Sequence, residues 1–196
     1  YDPVLESYLS NLGQRLVRYS NGVKYPFNFF WIRNNEINAF AFMGGYVGVH
    51  TGLIQEARTE SELAAVLGHE VAHVTQRHIV RRMQEQQQNM PMTIAGVIGS
   101  ILLGMANPEA GMAGLYTTLG ATSQSQINYT RLYEREADRI GLSVLLAAGF
   151  DPMGAPDFFG RLAEKYRYVS KPPEMLMTHP LPESRIADTR ARAESM

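Results

Sequence analysis

The segment His69-Glu70-Val71-Ala72-His73 sets two imidazoles four residues apart with a carboxylate next to the first. On a helix, residues four apart differ by one turn plus about 40°, so both rings leave one face and can grip one cation. Glu70 then stands beside them, where it can take a proton from an attacking water. A catalytic zinc usually has three protein ligands and keeps one position for water, so a third ligand is needed. The chain has no Cys, which excludes thiolate sites, iron–sulfur clusters and a cysteine nucleophile. His78 falls on roughly the opposite side of a continuous helix from His69. A His ten residues after the first, another zinc spacing, is absent because that position is Ile79. Glu85 lies about 18 Å further along the rod than His73, too far for a bond of about 2 Å. The remaining source is Glu134-Arg135-Glu136-Ala137-Asp138. Glu134 and Asp138 share a helix face, while Glu136 sits about 200° round from Glu134. Glu134 is read as the third ligand and Asp138 as the carboxylate that fixes a ligand histidine's tautomer, with Glu136 as the fallback.

The elements that must position these groups follow from periodicity. Val4, Leu5, Tyr8, Leu9, Leu12, Leu16 and Val17 predict an amphipathic first helix stopped by Asn21-Gly22. Phe27 to His50 reads as a strand, a polar turn and a strand or hairpin broken at Gly44-Gly45. Thr59 with Glu62 forms a capping box, after which a helix bearing His69 and His73 is expected to run to Gln86. A second helix is expected from Thr130 to a Gly149 cap, then a shorter one over 153–168 and a basic closing helix. The fold class is α+β, mainly helical, with a small antiparallel sheet and an active-site helix.

With 18 Lys+Arg against 19 Asp+Glu the net charge is −1, so no polycationic footprint for nucleic acid is present. At 196 residues the chain is expected to be one domain. It opens on Tyr1 with no signal-like apolar stretch, as a processed or trimmed chain would. Residues 92–106 form a 15-residue uncharged run, followed by a Gly-rich stretch to Gly120. Fifteen residues at about 1.5 Å each fall short of a bilayer core of about 30 Å. A buried or lid-like helical hairpin is expected, covering the cleft and moving for substrate entry, with peripheral membrane contact through 92–106 as the alternative.

Together, HEVAH, an ExxxD beginning 61 residues after His73, INAFAFMGG before them, and PPEML and THPLPESR after them resemble the peptidase domain of the HtpX and CAAX-prenyl-protease superfamily of zinc metallopeptidases. The similarity covers essentially the whole chain and is greatest to a periplasmic branch that serves outer-membrane assembly. It implies a zincin-like fold of the gluzincin type and one Zn2+ per chain. His69, His73 and Glu134 would be the ligands, Glu70 the catalytic base and Asp138 the supporting carboxylate. It also implies a periplasmic endopeptidase acting on misfolded or stalled envelope proteins, possible contact with the outer-membrane assembly machinery, and no nucleic acid. Proteins of that branch continue into tetratricopeptide repeats, and this chain stops at Met196. Either it is a trimmed piece or the protein lacks that partner-binding module.

Other residues carry open alternatives. His179, in a stiff Pro-flanked segment, is an oxyanion donor, a fourth ligand that keeps the enzyme latent, or a loop cap. Arg185 orients that loop or binds substrate, and Tyr133 or Tyr129 is a competing donor. Asn38, Ala39 and Phe40 lie on a strand whose edge can receive an extended peptide, while the rings of Phe40 and Phe42 fill the core. Two further readings are a chaperone or assembly scaffold with a latent, mainly structural zinc site, and a hydrolase of a non-peptide amide.

Overall fold

In the computed structural model, residues 2–196 are described, with the side chains of 125–129 excepted. The elements are α1 (Pro3–Arg18), β1 (Asn28–Ile32), β2 (Ala39–Phe42), β3 (Tyr46–His50), α2 (Thr51–Glu56), α3 (Glu60–Thr75), α4 (His78–Ala106), α5 (Pro108–Ala147), α6 (Gly154–Tyr166), α7 (Glu174–Thr178) and α8 (Glu183–Glu194). The chain divides into two compact units, Tyr1–Arg77 with Glu134–Met196, and His78–Tyr133.

In the first unit Asp2 caps α1, accepting hydrogen bonds from the Val4 and Leu5 amides, and Pro3 opens the helix without leaving a donor unpaired. Its inner face buries Leu9, Leu12 and Leu16. Gly13 lets β1 come close, since a Cβ there would lie 2.4 Å from the Phe29 ring.

The mainly helical α+β class holds, but the sheet is mixed. Its order is β1-β3-β2, with β1 parallel to β3 and β2 antiparallel to β3. Gly44 and Gly45, both at positive φ, close the β2–β3 hairpin, where L-residues would be strained. β1 follows no tight turn of that kind, so its pairing direction had no local signal. Val47 and Val49 of β3 are fully buried. Phe40 and Phe42 do not fill the core as expected. Phe42 is 54% exposed, and the two rings pack on each other with centroids 5.0 Å apart. Phe40 lies across Gly48, where a Cβ would meet its ring at 2.5 Å.

Helix α3 packs against α1, β2, β3 and α6. It stops at Thr75 rather than continuing to Gln86, because Arg77 takes φ +58 and its amide bonds back to Val74 O in a tight turn. An Arg in the left-handed region carries no sequence signal of the kind Gly or Asn supplies. The helix expected from Thr130 instead begins at Pro108 and runs 40 residues. The second unit contains α4 and the first part of α5. This is a helical hairpin as expected, but its apolar side chains are not buried: Met92 is 80% exposed and Leu102 62%.

Thr59 caps α3 by accepting from the Glu62 amide. The Glu62 carboxylate, 4% exposed, accepts the Arg58 amide at 2.8 Å and a two-pronged guanidinium from Arg161 at 2.6 and 2.9 Å. Burial pushes this carboxyl up, but Arg161 and the Arg58 amide outweigh it and hold it below its ordinary 4.5. A carboxylate with a depressed folded-state pKa stabilises above its unfolded value and loses that contribution as pH falls through the folded one. Glu62→Gln is expected to cost about 3 kcal/mol at neutral pH, since Arg161 loses its charged partner. In urea denaturation of both proteins, that gap narrows below about pH 4.5.

Candidate metal centre

The HExxH residues occupy the last two turns of α3, where the helix is buried on nearly every side. His69 is 2% exposed, Glu70 1% and His73 8%. Such groups need partners supplied from other elements, and α5 supplies the first. Residues Glu134, Asp138, Gly141 and Leu145 form one stripe on α5 at spacings of four, three and four. Gly141 lies against Gly68 and His69: a Cβ on it would come within 3.3 Å of the His69 amide nitrogen. The backbones thus approach closely at Gly141, and the carboxylates one and two turns before it reach the histidines.

His69 Nε2 lies 3.0 Å from His73 Nε2 and 2.9 Å from Glu134 Oε2, and His73 Nε2 lies 3.1 Å from Glu134 Oε1. His69 Nδ1 faces Asp138 Oδ1 at 3.1 Å. That contact favours the tautomer that leaves the Nε2 lone pair pointing inward. His179 caps the short helix α7 and turns into the same cluster, its Nδ1 2.8 Å from Glu134 Oε1 and its Nε2 3.1 Å from Glu70 Oε1. One donor atom from each of His69, His73, Glu134 and His179 lies within 4.8 Å of the others.

Arg185, 4% exposed, comes from α8. Its Nε and Nη2 donate to Asp138 at 2.5 and 2.9 Å, its Nη1 donates to Pro180 O at 2.8 Å, and Nη2 lies 3.0 Å from Glu134 Oε2. All its prongs are engaged within the protein, so it orients the His179 loop and both carboxylates rather than reaching outward. The sequence pointed to Arg185 but not to its pairing with Asp138, because contact between residues 47 apart has no local pattern.

The electrostatics follow from burial opposed by charge. Burial pushes Glu134 up, yet the charge on His69 and hydrogen bonds from three histidines hold it well below the carboxylate range. For Asp138, burial is likewise outweighed, by His69 and Arg185. Burial opposes charge on His179, but Glu70 and Glu134 push it up to about 10.

These residues suit a cation. His69 Nε2 and His73 Nε2 are 3.0 Å apart, and each lies about 3 Å from one Glu134 oxygen, His69 from Oε2 and His73 from Oε1. Ligands at about 2.0 Å around a tetrahedral ion are about 3.3 Å apart. Glu134 Oε2 and Glu70 Oε1 are buried and have no aligned hydrogen bond, although charged partners lie about 3 Å away.

Other sequence candidates lie elsewhere. Glu136 is not among the converging donors in the described residues. Tyr133 donates its hydroxyl to Glu85 and stacks on His78, while the side chain of Tyr129 lies outside the described residues. Asn38 and Ala39 are buried at the start of edge strand β2, which packs against α3, and Asn38 Nδ2 is 3.5 Å from Glu174 Oε2 on α7.

The model of peptidase family M48 matches residues 3–193. The chain belongs to peptidase family M48. It is 56% identical over its whole length to the Beta-barrel assembly-enhancing protease of Yersinia pestis, and 54% identical to the protein of that name from Escherichia coli (strain K12). It spans about 40% of the length of each. The mitochondrial Metalloendopeptidase OMA1 of Bos taurus is 31% identical over 74% of this chain, which matches 28% of that protein. Membership of M48 implies a metal cofactor, and the converging donors above are suited to one.

Asp138→Asn removes the partner of His69 and leaves Arg185 with a weakened one. Divalent-metal affinity, measured by competition with a chromogenic chelator, is expected to fall about 10–100-fold. Gly141→Val, which forces α3 and α5 apart, should lower it as well, whereas an exposed substitution such as Tyr168→Ala should not.

Proposed function

We propose that this chain acts as one peptidase domain over 1–196, a zinc endopeptidase with His69, His73 and Glu134 as ligands and Glu70 as general base. The observation that carries the reading is Glu70 itself. It is a fully buried carboxylate next in sequence to a converging metal donor, with Oε1 3.1 Å from His179 Nε2. Bound zinc supplies Lewis acidity, polarising the peptide carbonyl and acidifying the attacking water. Glu70 accepts the proton of that water and delivers it to the leaving amine. Asp138 holds the His69 ring, and Arg185 holds Asp138, Glu134 and the His179 loop. The outer edge of β2, accessible from Phe40 onward beyond the buried Asn38 and Ala39, receives the substrate as an added strand, bound through its backbone and therefore read loosely in sequence. This suits unfolded or misassembled proteins. The names of the bacterial relatives support a role in β-barrel assembly, and outer-membrane proteins as the clients, a periplasmic location and zinc as the metal belong to the same proposal.

A second reading is favoured by one contact. His179 Nε2 sits 3.1 Å from the Glu70 carboxylate, with Nδ1 against Glu134. In that position it occupies the base and can serve as a fourth ligand, so the resting enzyme is latent and a scaffold role could persist without hydrolysis.

Casein cleavage and elemental analysis separate these readings. Glu70→Gln is expected to keep about one zinc per chain while hydrolysis falls at least 100-fold, the lower end of general-base effects. His179→Ala should raise cleavage if the residue holds the site latent. A fall of about 100-fold would instead assign it as the oxyanion donor. If the biological role survives Glu70→Gln, the scaffold reading replaces the enzymatic one.

A further inference from the structure

From Asn89 to Thr130 the sequence holds one charged residue, Glu109. This stretch forms most of the α4–α5 hairpin, and its packing is inverted relative to a water-soluble helix pair. The inward positions are small or hydroxylated. A Cβ on Gly111 would meet Gly104 Cα at 2.4 Å, one on Gly114 would meet Ser100 Oγ at 2.9 Å, and one on Gly96 would meet Thr118 Cγ2 at 2.7 Å. Thr93 and Thr122 share a hydroxyl hydrogen bond of 3.2 Å across the pair. The large apolar side chains point outward: Met92 at 80% exposed, Ile98 at 51%, Ile101 at 60%, Leu102 at 62%, Met105 at 81% and Tyr116 at 68%. Close backbone contact through small residues, with hydroxyl hydrogen bonds between the helices, is how helices associate when the solvent outside is apolar. In water, the same arrangement exposes what should be buried and buries little.

We infer that this hairpin inserts into a lipid bilayer, its outer face solvated by acyl chains. Three observations select lipid over a protein partner or a second copy. Ile101, Leu102 and Leu103 are consecutive and all exposed, so at about 100° per residue the apolar surface wraps around α4 rather than forming one stripe for a partner. The apolar part of α4, residues 90–106, is about 25 Å long, near the roughly 30 Å of a hydrocarbon core, and α4 as a whole is by length and composition long and apolar enough to cross a membrane. In sequence Arg81 and Arg82, with Glu85, precede the charge-poor stretch and Arg131 follows it, which puts a net positive charge at its two chain ends, as suits anionic headgroups. At the turn between α4 and α5 Glu109 stands beside the Asn107 cap of α5, leaving the charges at the two ends of the span. The inference holds whether or not the metal centre is catalytic.

The test is flotation of the full chain with vesicles of phosphatidylethanolamine and phosphatidylglycerol on a density gradient. Wild type is expected to float, and Ile98→Asp with Leu102→Asp to reduce the floated fraction at least tenfold while metal uptake is unchanged. Because the chain has no Cys, a single Cys at Leu102 can carry an environment-sensitive fluorophore, with Tyr168→Cys as the control. Quenching by nitroxide-labelled acyl chains at 102 but not at 168 supports insertion. Three results overturn it: wild type that does not float, Asp variants that float as well as wild type, or a self-association in vesicle-free solution that the Asp variants abolish.

Discussion

Glu134 can keep its charge in a site this dry only because cations and N–H groups meet it on both oxygens. Withdrawing a carboxylate from water costs several kcal/mol, and it persists where well-placed partners offset that cost. Here the partners come from three separate parts of the chain: His69 and His73 from α3, His179 from the end of α7, and Arg185 from α8. The local architecture follows from that requirement. Helix α5 must approach α3 closely enough for a carboxylate to reach the imidazoles, which the glycine contact at Gly141 allows. The segment from α7 to α8 must then return to the same carboxylate. Arg185 fastens that return by binding Pro180 O with one prong and Asp138 with two others.

This arrangement also balances charge. Glu70, Glu134 and Asp138 are held ionised, and the cationic character of His69, His179 and Arg185 stands against them. A site that sets three carboxylates against three cationic groups accepts a divalent ion most readily when histidine protons leave as it enters, so metal uptake and proton release are coupled. Arg185 cannot take part in that exchange because its guanidinium does not deprotonate. Its constant charge keeps Asp138 and the His179 loop in place whichever state the histidines adopt.

The features legible in the sequence were those whose partners lie within about one helical turn. The HExxH spacing, the Thr59 cap and the Glu134–Asp138 face are all local, and each is present in the fold. The positive-φ turn at Gly44-Gly45 was legible because glycine marks it. The break at Arg77 was not, because an arginine was placed where glycine or asparagine would have been expected. The parallel pairing of β1 with β3, and the engagement of Asp138 by Arg185, are set by contacts between distant residues, which no local periodicity encodes. The same limit applies to Phe40 and Phe42. Alternating aromatics announce a strand but not which face of the sheet is covered.

The hairpin exposes a more general limit of periodicity. Along α5, the stripe through Glu134, Asp138, Gly141 and Leu145 faces a buried interior, whereas the stripe through Gly111, Gly114, Thr118 and Thr122 faces helix α4. Both recur at three or four residues, yet they imply opposite surroundings. In the first, much of the opposite face is charged, as water requires, with Arg131, Arg135 and Arg139 exposed. In the second, the opposite face carries methionine, leucine and tyrosine. A helical period states only that two faces differ. Which face meets the solvent, and what that solvent is, depends on whether the small residues or the large apolar ones are turned toward the neighbouring helix, and this is settled by packing rather than by spacing.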